Sequence, residues 1–253
     1  MEMNRSVLTK YIICSLMSLM VFGGMMGVSD ASGTSANSYS PSGALDKLKS
    51  SNVRFSLGQS SHSNMSAERR KQVTTGGQHP FATIIACSDS RVPVEMLFDQ
   101  GVGDIFVIKV AGNVCNTDEI GSIEYGVDHL DTPVMVVLGH THCGACTAVA
   151  TGAGGDGCIS DLIAPIRPAL QKVYAAHPDL YGKDLVPALV EANVWQAIED
   201  LFQRSSSTRR RTNDGRVTVV GAVYNIETGI VKWMGTHPEQ ESLTSDMKYN
   251  VWE

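Results

Sequence analysis

The chain reads as an α/β protein: a central, mostly parallel β-sheet flanked by helices, with an N-terminal helical arm and an antiparallel edge strand near the C-terminus. Three observations predict this. Short apolar runs alternate with helical patterns from residue 82 onward, the order that builds βαβ units. The runs are continuously apolar rather than alternating, as expected for strands covered by helices on both faces. Two of them end directly in clusters of reactive residues, Cys87-Ser88-Asp89-Ser90-Arg91 and His140-Thr141-His142-Cys143-Gly144. Side chains at the carboxyl ends of neighbouring parallel strands converge in the crevice where open α/β sheets bind ligands.

In chain order, Arg5 and Lys10 precede an uncharged stretch from Tyr11 to Val28, followed by small residues around Ser29-Asp30-Ala31-Ser32. A positive start, an apolar middle and a small-residue exit describe a secretory signal peptide over residues 1–31, cut after Ala31, which makes the mature protein periplasmic or secreted. The competing reading is an uncleaved membrane anchor, because the stretch approaches the roughly 18 apolar residues of a spanning helix; Gly23, Gly24 and Gly27 favour the signal. Residues 32–42 are Ser, Gly, Asn, Thr, Tyr, Ala and Pro, a flexible linker with little to bury. The folded domain is expected over residues 43–253.

Within it, Ala44–Arg54 and Ser66–Val73 predict two arm helices, the second capped by Ser66 and ended by Gly76-Gly77. Strands are expected at Ala82–Cys87, Ile105–Val110, Val134–Gly139 and Val217–Val223. Helices are expected at Pro93–Phe98, Asp118–Leu130, Ala145–Thr151 and Pro187–Phe202. Thr228-Gly229 turns the chain into the antiparallel edge strand, Ile230–Met234. The Gly-rich run 152–157 lacks the Lys-Ser/Thr of a phosphate-binding loop.

A net charge of −6 speaks against a general nucleic-acid binder. The one basic run, Arg209-Arg210-Arg211, lies between serines and Asn213-Asp214-Gly215 and reads as a solvated loop. Of six cysteines, Cys14 lies in the signal segment. Cys115 and Cys146 read as buried small hydrophobes, and Cys158 as an exposed thiol.

Cys87, His140 and Cys143 make a Cys2His set that suits zinc and leaves a fourth tetrahedral position open, the pattern of a catalytic site. Zinc so held lowers the pKa of its water to about 7 and supplies hydroxide near neutral pH. Asp89 can accept a hydrogen bond from that water while Arg91 keeps it ionised. Two other readings stay open: an envelope protein that only binds zinc or exchanges thiols, for which Cys143-Gly144-Ala145-Cys146 is formally a C-x-x-C, and a hydrolase of another small linear electrophile such as carbon disulfide.

Cys-x-Asp-x-Arg followed by His-x-x-Cys-Gly resembles the signature of the β-class carbonic anhydrases. Further segments resemble the family in order, among them Gly77-Gln78-His79-Pro80, Gly112-Asn113, Ile123-Glu124-Tyr125, Glu191-Ala192-Asn193-Val194 and Gly221-Ala222-Val223-Tyr224. The resemblance implies reversible hydration of carbon dioxide to bicarbonate and a proton, with Cys87, His140 and Cys143 on zinc and Asp89 and Arg91 as the catalytic dyad. It implies Gln78, Phe106, Ala111, Tyr125 and Gly144 at the substrate, some supplied by a partner subunit of a homodimer or dimer-based tetramer. Some members are shut at low pH through a second bicarbonate site built of Trp, Arg and Tyr. The matching residues here are Ile84, Lys109 and Tyr224, so an open site with Asp89 on Arg91 is expected.

Overall fold

The computed structural model describes residues 39–153 and 155–245; the predicted signal segment and most of the predicted linker lie outside them. Among the described residues, β1 (Thr83–Ala86), β2 (Phe106–Lys109), β3 (Val134–His140), β4 (Thr218–Tyr224) and β5 (Val231–Gly235) form one sheet in the order β2-β1-β3-β4-β5. The first four are parallel, and β5 returns antiparallel along β4. Every residue of β1 and β3 is buried. Alternate side chains serve two cores: Met135 and Val137 face one, and Val134, Val136 and Leu138 the other. Double coverage is why these strands are written as unbroken apolar runs.

The first core packs under α4 (Thr117–Glu124), α5 (Gly144–Thr151), α7 (Arg167–Ala176) and α8 (Val186–Arg204). Helix α8 lies so close to the sheet that a Cβ on Gly139 would stand 2.7 Å from Val194 Cγ2, and one on Gly221 2.8 Å from Val194 Cγ1. The second core lies under α1 (Pro41–Ser56) and the single turn α3 (Val94–Leu97). Asn52 ties α1 to the sheet, donating to the Leu97 and Gly229 carbonyls and accepting from Val231 N–H.

Several boundaries differ from expectation. Helix α1 begins at Pro41, capped by Ser40, whose side chain accepts from Gly43 N–H. The last two residues of the predicted linker are therefore helical, with proline at a first-turn position where its missing N–H costs nothing. Helix α2 (Ala67–Gly76) follows its predicted Ser66 cap. The helix expected over Asp118–Leu130 ends its α-geometry at Glu124 and continues as a π turn, Tyr125–His129.

Helices α6 (Cys158–Ile163), α7 and α10 (Gln240–Thr244) were not foreseen. The basic run is a correction: it is not a loop but α9 (Ser206–Asn213). Ser205 caps it, accepting from Thr208 N–H at 3.1 Å, and Arg211 reaches Asp128 and Asp131 at 2.8 and 2.6 Å. No helix of the described residues is long and apolar enough to cross a membrane.

Candidate metal centre

The chain runs from β1 outward to β2, then crosses back to β3 on the other side of β1. That reversal opens a crevice outside the carboxyl ends of β1 and β3, where doubly wound sheets place their ligands. Cys87 follows the last residue of β1, and His140 is the last residue of β3. Cys143 is the N-cap of α5, where the positive end of the helix dipole favours a thiolate. The loop between them is pinned to the sheet: Thr141 N–H donates to the Tyr224 carbonyl, and Thr141 Oγ1 accepts from Ile226 N–H.

The ligating atoms of Cys87, His140 and Cys143 lie within 4.8 Å of one another, and all three residues are buried. His140 Nδ1 sits 2.9 Å from the Thr141 carbonyl, which can only accept, so Nδ1 carries the proton. Nε2 therefore presents its lone pair, buried and without a hydrogen-bond partner. Tetrahedral zinc holds sulfur and nitrogen ligands roughly 3.5–3.8 Å apart, so a small inward movement closes this set on an ion. The donors fit the metal. Gly112 N–H also donates to Cys87 Sγ at 3.3 Å.

Without a cation the sulfurs are thiols. The hydrogen bond that the Cys87 thiol donates to Cys143, then burial, pushes Cys87 up to about 12. A hydrogen bond with Cys146, assisted by burial, pushes Cys143 up to about 12 against the opposite pull of Cys87. A reactive redox cysteine needs the reverse, a depressed pKa and access to solvent. Cys143 and Cys146 are both buried, which speaks against the thiol-exchange reading.

Beside the triad, Asp89 and Arg91 form a bidentate pair. Asp89 Oδ1 accepts from Arg91 N–H and Nε–H, each at 2.9 Å, and Oδ2 accepts from Nη2–H at 2.7 Å. These bonds hold the carboxyl well below the usual carboxylate range, although burial opposes them. Oδ2 stands 4.0 Å from His140 Nε2, so the carboxylate borders the metal position. Lys109 Nζ donates to the Val92 and Asp89 carbonyls at 2.8 and 3.3 Å and braces the turn that carries the pair. Ile84 and Tyr224 are buried.

The remaining predicted residues divide in two. Gly144, exposed at the first turn of α5, and Ala111, next to Gly112, stand at the carboxyl end with the triad. Phe106 and Tyr125 do not. Phe106 is in register with Thr83 at the amino end of β1, about 13 Å below the level of Cys87 at the usual strand rise. The Tyr125 ring lies 5.9 Å from that of Phe106, and Tyr125 is 46 % exposed. Gln78 is exposed and precedes β1 on its amino side. One chain alone does not bring these three to its own metal centre. Sequence reasoning quoted Gly112 and Asn193 only as family segments and gave them no role; their link spans 81 positions.

Comparison with known proteins agrees with this architecture. Residues 82–231 match the family model described as carbonic anhydrase. Carbonic anhydrase 2 of Mycobacterium tuberculosis is 36% identical over 193 residues, 75% of this chain and 90% of that protein. A carbonic anhydrase of Mycolicibacterium smegmatis is 35% identical, over 76% of this chain and 92% of that one. The β-carbonic anhydrase CafA of Aspergillus fumigatus superposes with a TM-score of 0.62 at 28% identity, over 80% of this chain and 94% of that one.

Proposed function

The chain belongs to the carbonic anhydrase family, in its β class, and on that premise we propose that it interconverts carbon dioxide and bicarbonate at a zinc ion held by Cys87, His140 and Cys143. The observation that carries this is the buried, unpartnered His140 Nε2 within 4.8 Å of two buried sulfurs, bordered by an ion-paired carboxylate. Zinc supplies a Lewis acid that makes water nucleophilic near neutral pH.

The chain's own residues do the rest. Arg91 holds Asp89 ionised and fixed in direction by its fork of donors. Asp89 then accepts a hydrogen bond from the attacking oxygen and turns a lone pair toward the substrate carbon. Gly144 N–H, free of an intrahelical partner at the first turn of α5, donates to the substrate oxygen on which charge develops. Ala111 offers a small apolar wall to a substrate without a dipole.

Gln78, Phe106 and Tyr125 complete the pocket of a second subunit, which makes the active unit a homodimer or a dimer-based tetramer. The N-terminal segment directs the protein out of the cytoplasm, to the periplasm or the medium. The decisive experiment is stopped-flow hydration of carbon dioxide by protein of measured zinc content. One zinc per chain and hydration well above the buffer rate are expected. A zinc-replete protein without hydration activity would sink the assignment.

A further inference from the structure

Helix α8 buries two amides: Gln196, which donates to Asp200 on its own helix, and Asn193, which reaches toward the metal centre. Asn193 is 2% exposed, between Val190 and Val194 on the stripe that faces the sheet. A buried amide is costly unless it is hydrogen-bonded. Asn193 Nδ2 donates to the Gly112 carbonyl at 2.7 Å. Gly112 is also the residue whose N–H reaches Cys87 Sγ.

The two contacts leave Gly112 on either side of its Cα, and its φ of 76° lies in the left-handed region. Turning that N–H away from the sulfur requires rotation about Gly112, and the Asn193 bond on its carbonyl resists the rotation. The residue has no slack elsewhere. A Cβ there would meet Ile166 Cδ1 at 2.8 Å and Ala145 Cβ at 3.1 Å.

We infer that Asn193 is a positioning residue for the metal centre: through Gly112 it aims a backbone N–H at the Cys87 sulfur and so sets that thiolate's strength as a zinc donor. This rests on the zinc reading of the site. An N–H donated to a thiolate stabilises its charge and raises the energy of transferring an electron from sulfur to a bound metal. Partners beyond the ligands typically change metal affinity about 10- to 100-fold.

The test uses two readouts on the full chain. One is zinc affinity by competition with a chromophoric chelator. The other is the sulfur-to-cobalt charge-transfer band after cobalt(II) replaces zinc. Asn193→Ala should weaken zinc by about 10- to 100-fold and move the band to lower energy. Leu201→Ala is the control for lost packing. It empties a fully buried site on the same helix, about 12 Å further along, and should leave band and affinity at wild-type values. If Asn193→Ala does not fold, Asn193→Asp sets a carboxylate oxygen against the Gly112 carbonyl at the same volume and should shift both readouts the same way. Wild-type affinity and an unmoved band in a folded Asn193 variant would overturn the inference. The same shift in Leu201→Ala would also overturn it, by reducing the effect to lost packing. Wild-type protein that binds no zinc would overturn the site assignment and this inference with it.

Discussion

Replacing Asp89 by alanine separates an enzyme from a protein that only stores metal. Both carboxylate oxygens are committed to Arg91 through three N–H donors at 2.7 to 2.9 Å, and the side chain is 16% exposed. Asp89→Ala removes the acceptor that would orient the attacking oxygen and leaves Arg91 with the His142 carbonyl at 3.3 Å. It touches none of the three metal-ligating atoms, so zinc content should not change. A positioned proton acceptor is worth about 10²- to 10⁴-fold in rate, or about 2.7–5.5 kcal/mol of activation free energy. Turnover at matched zinc content should fall by that factor. Asp89→Asn should fall in the same direction, because its amide NH2 meets the donors of Arg91. The pH dependence has a definite sign. Arg91 depresses the Asp89 pKa, so the ion pair is intact above the usual carboxylate pKa of about 4 and is lost only as pH falls through the lower folded value. Loss of activity between pH 8 and 6 therefore does not come from protonating Asp89. Near-wild-type turnover in zinc-replete Asp89→Ala would refute this account.

Other expectations follow from the same geometry. Both metal-site thiols lie near 12 in the metal-free protein, so zinc binding releases two protons and affinity should rise about 100-fold per pH unit around neutrality; chelator competition at pH 7 and 8 giving a tenfold change or less would contradict it, and Cys143→Ser should lose the metal. Co-assembled subunits bearing Cys143→Ser and Phe106→Ala with Tyr125→Ala should recover activity that neither variant shows alone, and a mixture as inactive as its parents would place the pocket within one chain. Asp99 is fully buried and accepts from Arg54, Ser61 and His62; although burial alone would raise its pKa, these bonds carry it well below the usual range. Asp99→Asn should thus cost about 3 kcal/mol in urea unfolding at pH 7 and much less at pH 2, and equal losses at both would be inconsistent with a carboxylate role. Mass spectrometry of protein from its native cell should find an N-terminus near Ser32; an intact Met1 in the membrane fraction would favour an anchor.

The core of the sheet was legible because burial on both faces leaves its mark residue by residue. The seven positions of β3, all buried, are written without one charged side chain before His140. The metal triad was legible because each member ends or caps an element whose sequence is local. What could not be read is what depends on distant partners. Helix α9 has Thr208 as its buried residue and no apolar stripe, so its sequence looks like a solvated loop; Asp128 and Asp131, some eighty positions earlier, supply the ion pairs that hold it. Helices α6 and α7 hide behind a Gly-rich run and the prolines at 165 and 168, which read as breaks but stand at first-turn positions. The hydrogen bond from Asn193 to Gly112 leaves no local trace.

Strand order accounts for how the proposed homodimer would bring the substrate-side residues of one chain to the metal centre of the other. Strand β2 is the edge of the sheet, four residues long and only half-buried, and its outer hydrogen-bonding groups are what a second copy can pair with. A two-fold axis makes any such pairing of β2 with itself antiparallel. Antiparallel pairing sets Phe106 of one chain opposite the Lys109 end of the other. Lys109 is in register with Ala86, the residue before Cys87. In that proposed pairing, centred on β2, the amino-end residues that lie about 13 Å below the level of their own metal centre would arrive at the level of the partner's. The same operation carries Tyr125, packed on Phe106, along with it. In the proposed dimer, half-buried Phe106 with exposed Tyr125 at one end of the edge strand and the metal triad at the other would be two halves of one pocket.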